Sequence, residues 1–242
     1  MITVICVYNN RVLLENRLLK SLKIQSSEYE LILLDNTNGK YESAAKALNC
    51  GAKQATTDYL MFVHQDVDLL YENCLKDTEE ILKDLNDLGV AGIAGYTETN
   101  GKFVMYSNIK DGRPPEDVGV YLKDPLNVQT VDECMFIVPR SMFEKLKFDE
   151  ITCPGWHLYA VDYCLSTNKF EKSVYVIPIN IYHVSRTESF SKDYYDLLKN
   201  IVKKHGQNYK TIDTSCGIWS TNSIRLDLNI LEDKLLRFLK FR

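Results

Sequence analysis

The sequence predicts an α/β fold built on a mostly parallel sheet with helices on both faces, followed by a helical C-terminal tail. Two observations predict it. Over the first 95 residues, short apolar, β-branched runs alternate with amphipathic segments, and strands linked by crossover helices run parallel. The acidic residues Asp35, Asp66 and Asp68 also fall at the carboxyl ends of predicted strands, which is where such sheets bind their ligands.

Residues 2–7 (ITVICV) read as a buried strand, followed by a turn at Tyr8-Asn9-Asn10. Leu14, Leu18 and Leu22 then mark one helix over 12–23. The second strand is 30–34, ending at Asp35-Asn36. The segment 43–55 is a helix whose small residues let it lie close to a sheet. The third strand, 59–63, ends in His64-Gln65-Asp66-Val67-Asp68. Leu75, Thr78, Leu82, Leu85 and Leu88 predict a long helix over about 72–88, and 90–94 a fourth strand.

Residues 96–130, rich in glycine, proline and polar side chains, read as loops and short antiparallel strands such as 103–106. Strand 133–138 follows, then a short helix capped by Ser141 and running through Lys145. The pattern continues with a helix over 157–168 and strands at 174–177 and 180–184. From 191 the chain is mainly helical, with a loop at 206–222. The expected organisation is a main domain over 1–190 and a helical extension over 191–242.

Composition narrows the function. The 242 residues are 45% hydrophobic and 26% charged, an ordinary globular mixture. Against 33 Asp and Glu stand 29 Lys and Arg, a net charge of −4 that gives no global electrostatic case for a nucleic-acid partner. No apolar run reaches the ~18 residues of a membrane span, and the N-terminus lacks the features of a secretion signal. Seven cysteines with irregular spacing and no C-x-x-C read as reduced core thiols of a cytoplasmic protein.

Asp66-Val67-Asp68 is a D-x-D at a strand end, where two carboxylates can turn toward one divalent cation. Asp35-Asn36 fits either ligand contact or an Asx-turn. Asp162 lies inside the helical stripe Leu158, Val161, Leu165, where a carboxylate needs a partner or a task such as general base. His183 follows a strand and fits ligation or a plain polar role. His64 reads as orienting the D-x-D loop, and His205 as a helix C-cap. The chain lacks G-x-S-x-G, Walker and G-x-G-x-x-G motifs, which argues against acyl-transfer hydrolases, P-loop NTPases and dinucleotide-dependent dehydrogenases.

Taken in order, several strings resemble family 2 glycosyltransferases of the GT-A, Rossmann-like fold. They are Ile2–Asn10, Glu30–Asn36, Ala44–Gly51, Thr57–Val63, Val131–Val138, Phe148-Asp149-Glu150, Trp156–Leu165, Val176-Ile177-Pro178 and His183-Val184-Ser185. His64-Gln65-Asp66-Val67 is similar to the StrF-like branch. The resemblance covers about residues 2–186. It implies a metal-dependent, inverting transfer from a nucleotide-sugar such as a UDP-sugar to a hydroxyl on a glycan or lipid-linked saccharide.

Residue by residue, the resemblance implies Asp35 and Asn36 on the nucleoside, Asp66, Asp68 and His183 on Mn²⁺ or Mg²⁺, and Asp66 and Asp132 along the nucleotide-sugar. Asp162 is implied as base, with Asp149 or Glu150 as substitutes. Many members carry an acidic pair where this chain has Tyr159-Ala160, so a silent nucleotide-sugar binding protein is the alternative. A nucleotidyltransferase is disfavoured, because no Gly-rich, basic phosphate loop follows the first strand. The tail, 226–242, places Leu228, Leu231, Leu235, Phe238 and Leu239 on one face. That face reads as docked on the domain or on a second copy in a homodimer, or as touching an anionic membrane surface peripherally.

Overall fold

The computed structural model describes residues 1–99, 102–184 and 193–240. The first half runs β1 (Ile2–Tyr8), α1 (Arg11–Asn16), α2 (Leu18–Leu22), β2 (Tyr29–Asp35), α3 (Ala44–Ala52), β3 (Tyr59–Val63), β4 (Val67–Leu69), α4 (Cys74–Asp84) and β5 (Leu88–Gly92). A group of short strands follows: β6 (Ala94–Thr99), β7 (Lys102–Ser107), β8 (Ile109–Asp111), β9 (Glu116–Val118), β10 (Leu126–Asn127) and β11 (Thr130–Val131). Then come β12 (Met135–Pro139), α5 (Arg140–Lys145), α6 (Tyr159–Thr167), β13 (Ser173–Val176) and β14 (Ile181–His183). The chain closes with α7 (Tyr194–His205), β15 (Thr211–Thr214), β16 (Gly217–Ser220) and α8 (Ser223–Lys240).

The central sheet has seven strands in the order β10-β13-β5-β12-β3-β1-β2. Five point one way, and β12 and β10 are reversed. This is the expected α/β class. Because successive side chains alternate across a strand, Ile5, Leu60, Phe62, Phe136 and Val138 enter one core layer and Val4, Cys6, Met61, Met135 and Ile137 the other. Helices α3, α6 and α7 cover the first face; α1, α2 and α4 cover the second. Gly51 lets α3 press onto the sheet: a Cβ there would meet Ile5 Cγ2 at 2.8 Å and Leu34 Cδ1 at 2.9 Å.

Several local expectations are corrected. The helix expected over 12–23 breaks at Arg17 (φ −120°, ψ −95°), whose side chain reaches Asp68 at 3.0 Å and lies over the Tyr182 ring. Helix α4 stops at Asp84, because the chain is extended at Leu85 and left-handed at Asp87 on its way into β5. Ser141 does not cap α5; it lies inside the first turn, after Pro139. The loop expected at 206–222 contains the hairpin β15–β16. Tyr194, Tyr195, Leu197, Leu198 and Ile201 of α7 join the same core as the sheet. The expected boundary at 190/191 lies outside the described residues, as do Ser185 and the last two residues of the tail.

Candidate active site

The carboxyl ends of β1, β2 and β3 open onto a cavity of about 770 Å³. The reversed strand β12 brings its start to the same edge, since Met135 pairs with Val63. The three residues ahead of it, Asp132, Glu133 and Cys134, therefore line the cavity beside His64 and Asp66. The turn between β15 and β16 (Thr214, Ser215, Cys216) completes one wall.

After β3 the backbone turns: the His64 N–H donates to the Cys134 carbonyl at 2.9 Å, and the Val67 N–H to the His64 carbonyl at 3.4 Å. Gln65 locks this turn to the first loop by accepting from the Asn9 and Asn10 N–H groups. Asp66, 5% exposed, is thereby lifted out of the alternation of β4. Strand β14 lies between β4 and β8, with His183 paired to Val67 and to Asp111. His183 Nδ1 is 2.9 Å from Asp111 Oδ1, and its Nε2 is 3.6 Å from Asp66 Oδ1. The His64 ring stands 5.7 Å from that of His183, and its Nε2 is 3.2 Å from the Tyr159 hydroxyl.

One ligating atom from each of His64, Asp66 and His183 lies within 4.8 Å of the others. Two imidazoles and a carboxylate suit a divalent cation and leave coordination positions for other oxygens. Asp111 fixes the orientation of the His183 ring, as a partner behind a metal ligand does. Burial lowers the pKa of His64, helped by His183. Burial also works to lower that of His183, but Asp111, Asp66 and Asp132 outweigh it and raise it.

The structure separates the other sequence candidates. Asp68 does not join the cluster: it is held by Arg17 on the other side of the turn. Asp35 is exposed and forms an Asx-turn, accepting from the Thr37 N–H at 2.8 Å and its hydroxyl at 2.7 Å, which lower its pKa together with the Tyr8 hydroxyl. Asn36 lines the cavity and is oriented by the Tyr41 N–H. Asp132 lines it too; burial raises its pKa, but Ser215, the Cys134 N–H and His183 bring it below the ordinary value.

Asp162, Asp149 and Glu150 do not converge on the cavity. Asp162, 2% exposed, meets His205 Nε2 and Lys204 Nζ, each at 2.8 Å. Lys204 also reaches Asp149 at 2.8 Å, and Asp149 accepts from Thr152 and Ile151 as well. Glu150 is exposed and accepts from Asn49. These groups clamp α7 to α6 and to the loop before it. His205 is no cap: it is 0% exposed and continues the buried stripe Tyr194, Leu198, Ile201, visible as i, i+4, i+7, i+11. Sequence reading missed His64 as part of the cluster and Glu133 altogether. The signals were an H-x-D at a strand end and a charge leading an apolar strand. Asp111 carries no sequence signal, for its role depends on a pairing 72 residues away.

An α/β sheet with a polar cavity at the carboxyl ends of its strands is a nucleotide-binding type of architecture. The chain belongs to the family described as "Glycosyltransferase like family", whose model matches residues 2–205. A search of curated proteins found no match. Among solved structures it is similar to Staphylococcus aureus TarS 1–349 in complex with UDP-GlcNAc: 16% identity, TM-score 0.57, covering 84% of this chain and 66% of that one. It is similar to GalNAc-T7 with UDP, GalNAc and Mn²⁺ (12% identity, TM-score 0.59, 84% and 47%). The mannosyltransferase PcManGT from Pyrobaculum calidifontis, in complex with GDP-Man and Mn²⁺, gives 13% identity and a TM-score of 0.57 over 86% and 65%. The chain spans about two thirds or less of these structures. Their shared architecture is the GT-A glycosyltransferase fold, which this chain adopts.

Proposed function

We propose that the chain transfers a sugar from a nucleoside-diphosphate sugar to a hydroxyl acceptor, with inversion at the anomeric carbon. The observation that carries this reading is the convergence of His64, Asp66 and His183 in the cavity at the sheet's carboxyl edge, in a chain of this family. Asn36, which lines the cavity, and the neighbouring Asp35 at the end of β2 would hold the nucleoside. Asp132, ionised beside the cluster, orients the sugar. His64, Asp66 and His183 would hold the cation; two imidazoles make the set poorer for Mg²⁺ than for Mn²⁺. When bound, such an ion neutralises charge on the departing diphosphate. The cavity would align acceptor and donor for in-line displacement. The acceptor class is a glycan or lipid-linked saccharide, and His64-Gln65-Asp66-Val67 supports the StrF-like branch.

Among the described residues no helix is long and apolar enough to cross a membrane. Helix α8 docks through Leu226 and Ile230 and through Asp233, which accepts from the Tyr195 hydroxyl at 2.6 Å; Leu228, Leu231, Leu235 and Phe238 stay exposed. This face would take a second copy or an anionic membrane surface, in a cytoplasmic setting; sedimentation and vesicle flotation separate the two. The central test screens nucleotide-sugars for thermal stabilisation with and without Mn²⁺, then measures UDP or GDP release. Mn²⁺-dependent release abolished by Asp66→Ala supports the reading. Binding without release points to a silent binding protein.

A further inference from the structure

We propose that Glu133 is the base that takes the proton from the acceptor hydroxyl, an assignment that rests on the glycosyl-transfer reading above. Asp162, the carboxylate that the resemblance implies for this role, is fully engaged by Lys204 and His205 on the side of α6 that faces α7. Ala160, where the resemblance leads one to expect an acid, carries only a methyl group. Glu133 approaches the same helix start from the neighbouring strand. It lines the cavity shared with His64, Asp66 and His183, and its Oε1 is buried with no hydrogen-bond partner.

Its surroundings support the assignment. Helix α6 is preceded by Leu158, a left-handed residue (φ 63°) whose side chain offers the helix start no cap. The N–H groups of Ala160, Tyr159 and Leu158 point toward the Glu133 carboxylate and favour its charge, as helix starts do. Burial and the neighbouring Asp132 work the other way and prevail, so Glu133 sits well above the ordinary glutamate value. Asp132, one residue earlier, is pulled below the ordinary aspartate value. Glu133 is thus the more readily protonated of the two adjacent carboxylates, and its unpartnered Oε1 in the cavity is the atom set to receive the proton.

The step balances. The acceptor O–H bond breaks and its proton moves to a Glu133 oxygen. The acceptor oxygen bonds to the anomeric carbon while the bond from that carbon to the diphosphate oxygen breaks. Its electron pair leaves on the nucleoside diphosphate.

A merely structural Glu133, serving only to hold the start of α6, gives a different result in the following test. Wild type, Glu133→Ala and Glu133→Gln are assayed for nucleoside-diphosphate release from a panel of UDP-, GDP-, ADP- and dTDP-sugars with Mn²⁺, with water as the acceptor. The release is repeated with sodium azide, a nucleophile that brings no proton to remove. Expected is a loss of about 10²–10⁴-fold with water in both variants, substantial recovery of release by Glu133→Ala in azide with formation of a glycosyl azide, and unchanged binding of UDP with Mn²⁺ by calorimetry. If Glu133→Ala does not fold, the near-isosteric Glu133→Gln decides by the same readings. Variants as active as wild type with water, or inactive with both water and azide while binding is intact, overturn the assignment alone. A wild type that releases nothing from any donor with either acceptor overturns the glycosyl-transfer reading, and the assignment falls with it.

Discussion

Replacing Asp162 by alanine separates stability from chemistry at the residue that sequence resemblance marks as catalytic. The carboxylate is 2% exposed and meets two cationic or titratable partners at 2.8 Å each, His205 Nε2 and Lys204 Nζ. His205 is itself 0% exposed, and its Nδ1 has no partner. Removing the aspartate strands one buried ring and leaves Lys204 with Asp149 alone. Breaking a buried pair by deleting one partner costs about 3–5 kcal/mol. At about 2–4 °C per kcal/mol for a chain of this size, the unfolding midpoint falls by roughly 6–20 °C. Thermal denaturation by circular dichroism measures this, alongside nucleotide-sugar turnover per folded molecule well below the midpoint. The expected result is a large thermal shift with turnover per folded molecule kept within about threefold. A midpoint unchanged within about 2 °C, or turnover lost by about 10²-fold or more in a variant that remains folded, refutes the reasoning.

Three further outcomes follow from the same geometry. Asp66→Asn weakens Mn²⁺-dependent UDP binding by about tenfold or more while Asp68→Asn leaves it within about threefold, as read by calorimetry, because only Asp66 stands with the two histidines; equal losses would show that both carboxylates reach the ion. Asp111→Asn lowers Mn²⁺ affinity by about 10–100-fold without touching the ion, since it unfixes the His183 ring; an unchanged affinity counts against that support. Burial pushes the Asp149 carboxyl up, but Lys204 and the Thr152 and Ile151 groups pull it well below its ordinary 3.8. A depressed folded pKa contributes stability above the unfolded value that is lost as pH falls below it. Asp149→Asn therefore flattens the acid limb of stability below about pH 4, in urea melts taken from pH 6 downward; parallel limbs for variant and wild type would remove Asp149 from that limb.

What the sequence disclosed divides along the line between local and non-local causes. The strands β1, β2 and β3 were legible because each is an apolar run closed by a polar turn, and α3 because small residues crowd one face. The break at Arg17 was not: there the side chain pairs with Asp68, 51 positions later, a contact no local pattern announces. The spacing of Asp66 and Asp68 suggests a shared direction, yet the turn held by the Cys134 carbonyl and by Gln65 points them apart. His205 was half legible: its place in the α7 stripe marks burial, while its partner Asp162 lies on another helix. Asp162 was rightly marked as a carboxylate needing a partner; the pattern could not say that the partner was a lysine–histidine clamp.

The reversal of β12 explains why acidic residues from the middle of the chain meet those from its start. In a wholly parallel sheet, the residues leading into a strand lie at the amino edge, away from the ligand. A five-residue strand spans about 16 Å at ~3.3 Å per residue. With β12 parallel to β3, Asp132 and Glu133 would stand that far from His64. Running antiparallel, β12 pairs Met135 with Val63 and sets its leading residues against the turn after β3. The His64 N–H to Cys134 carbonyl bond ties the two leads together. One change of strand direction thus brings Asp132 and Glu133 to the cavity edge beside His64 and Asp66. Because β12 sits between β3 and β5, that pair lies at the centre of the seven-stranded sheet, which carries a core layer on each face.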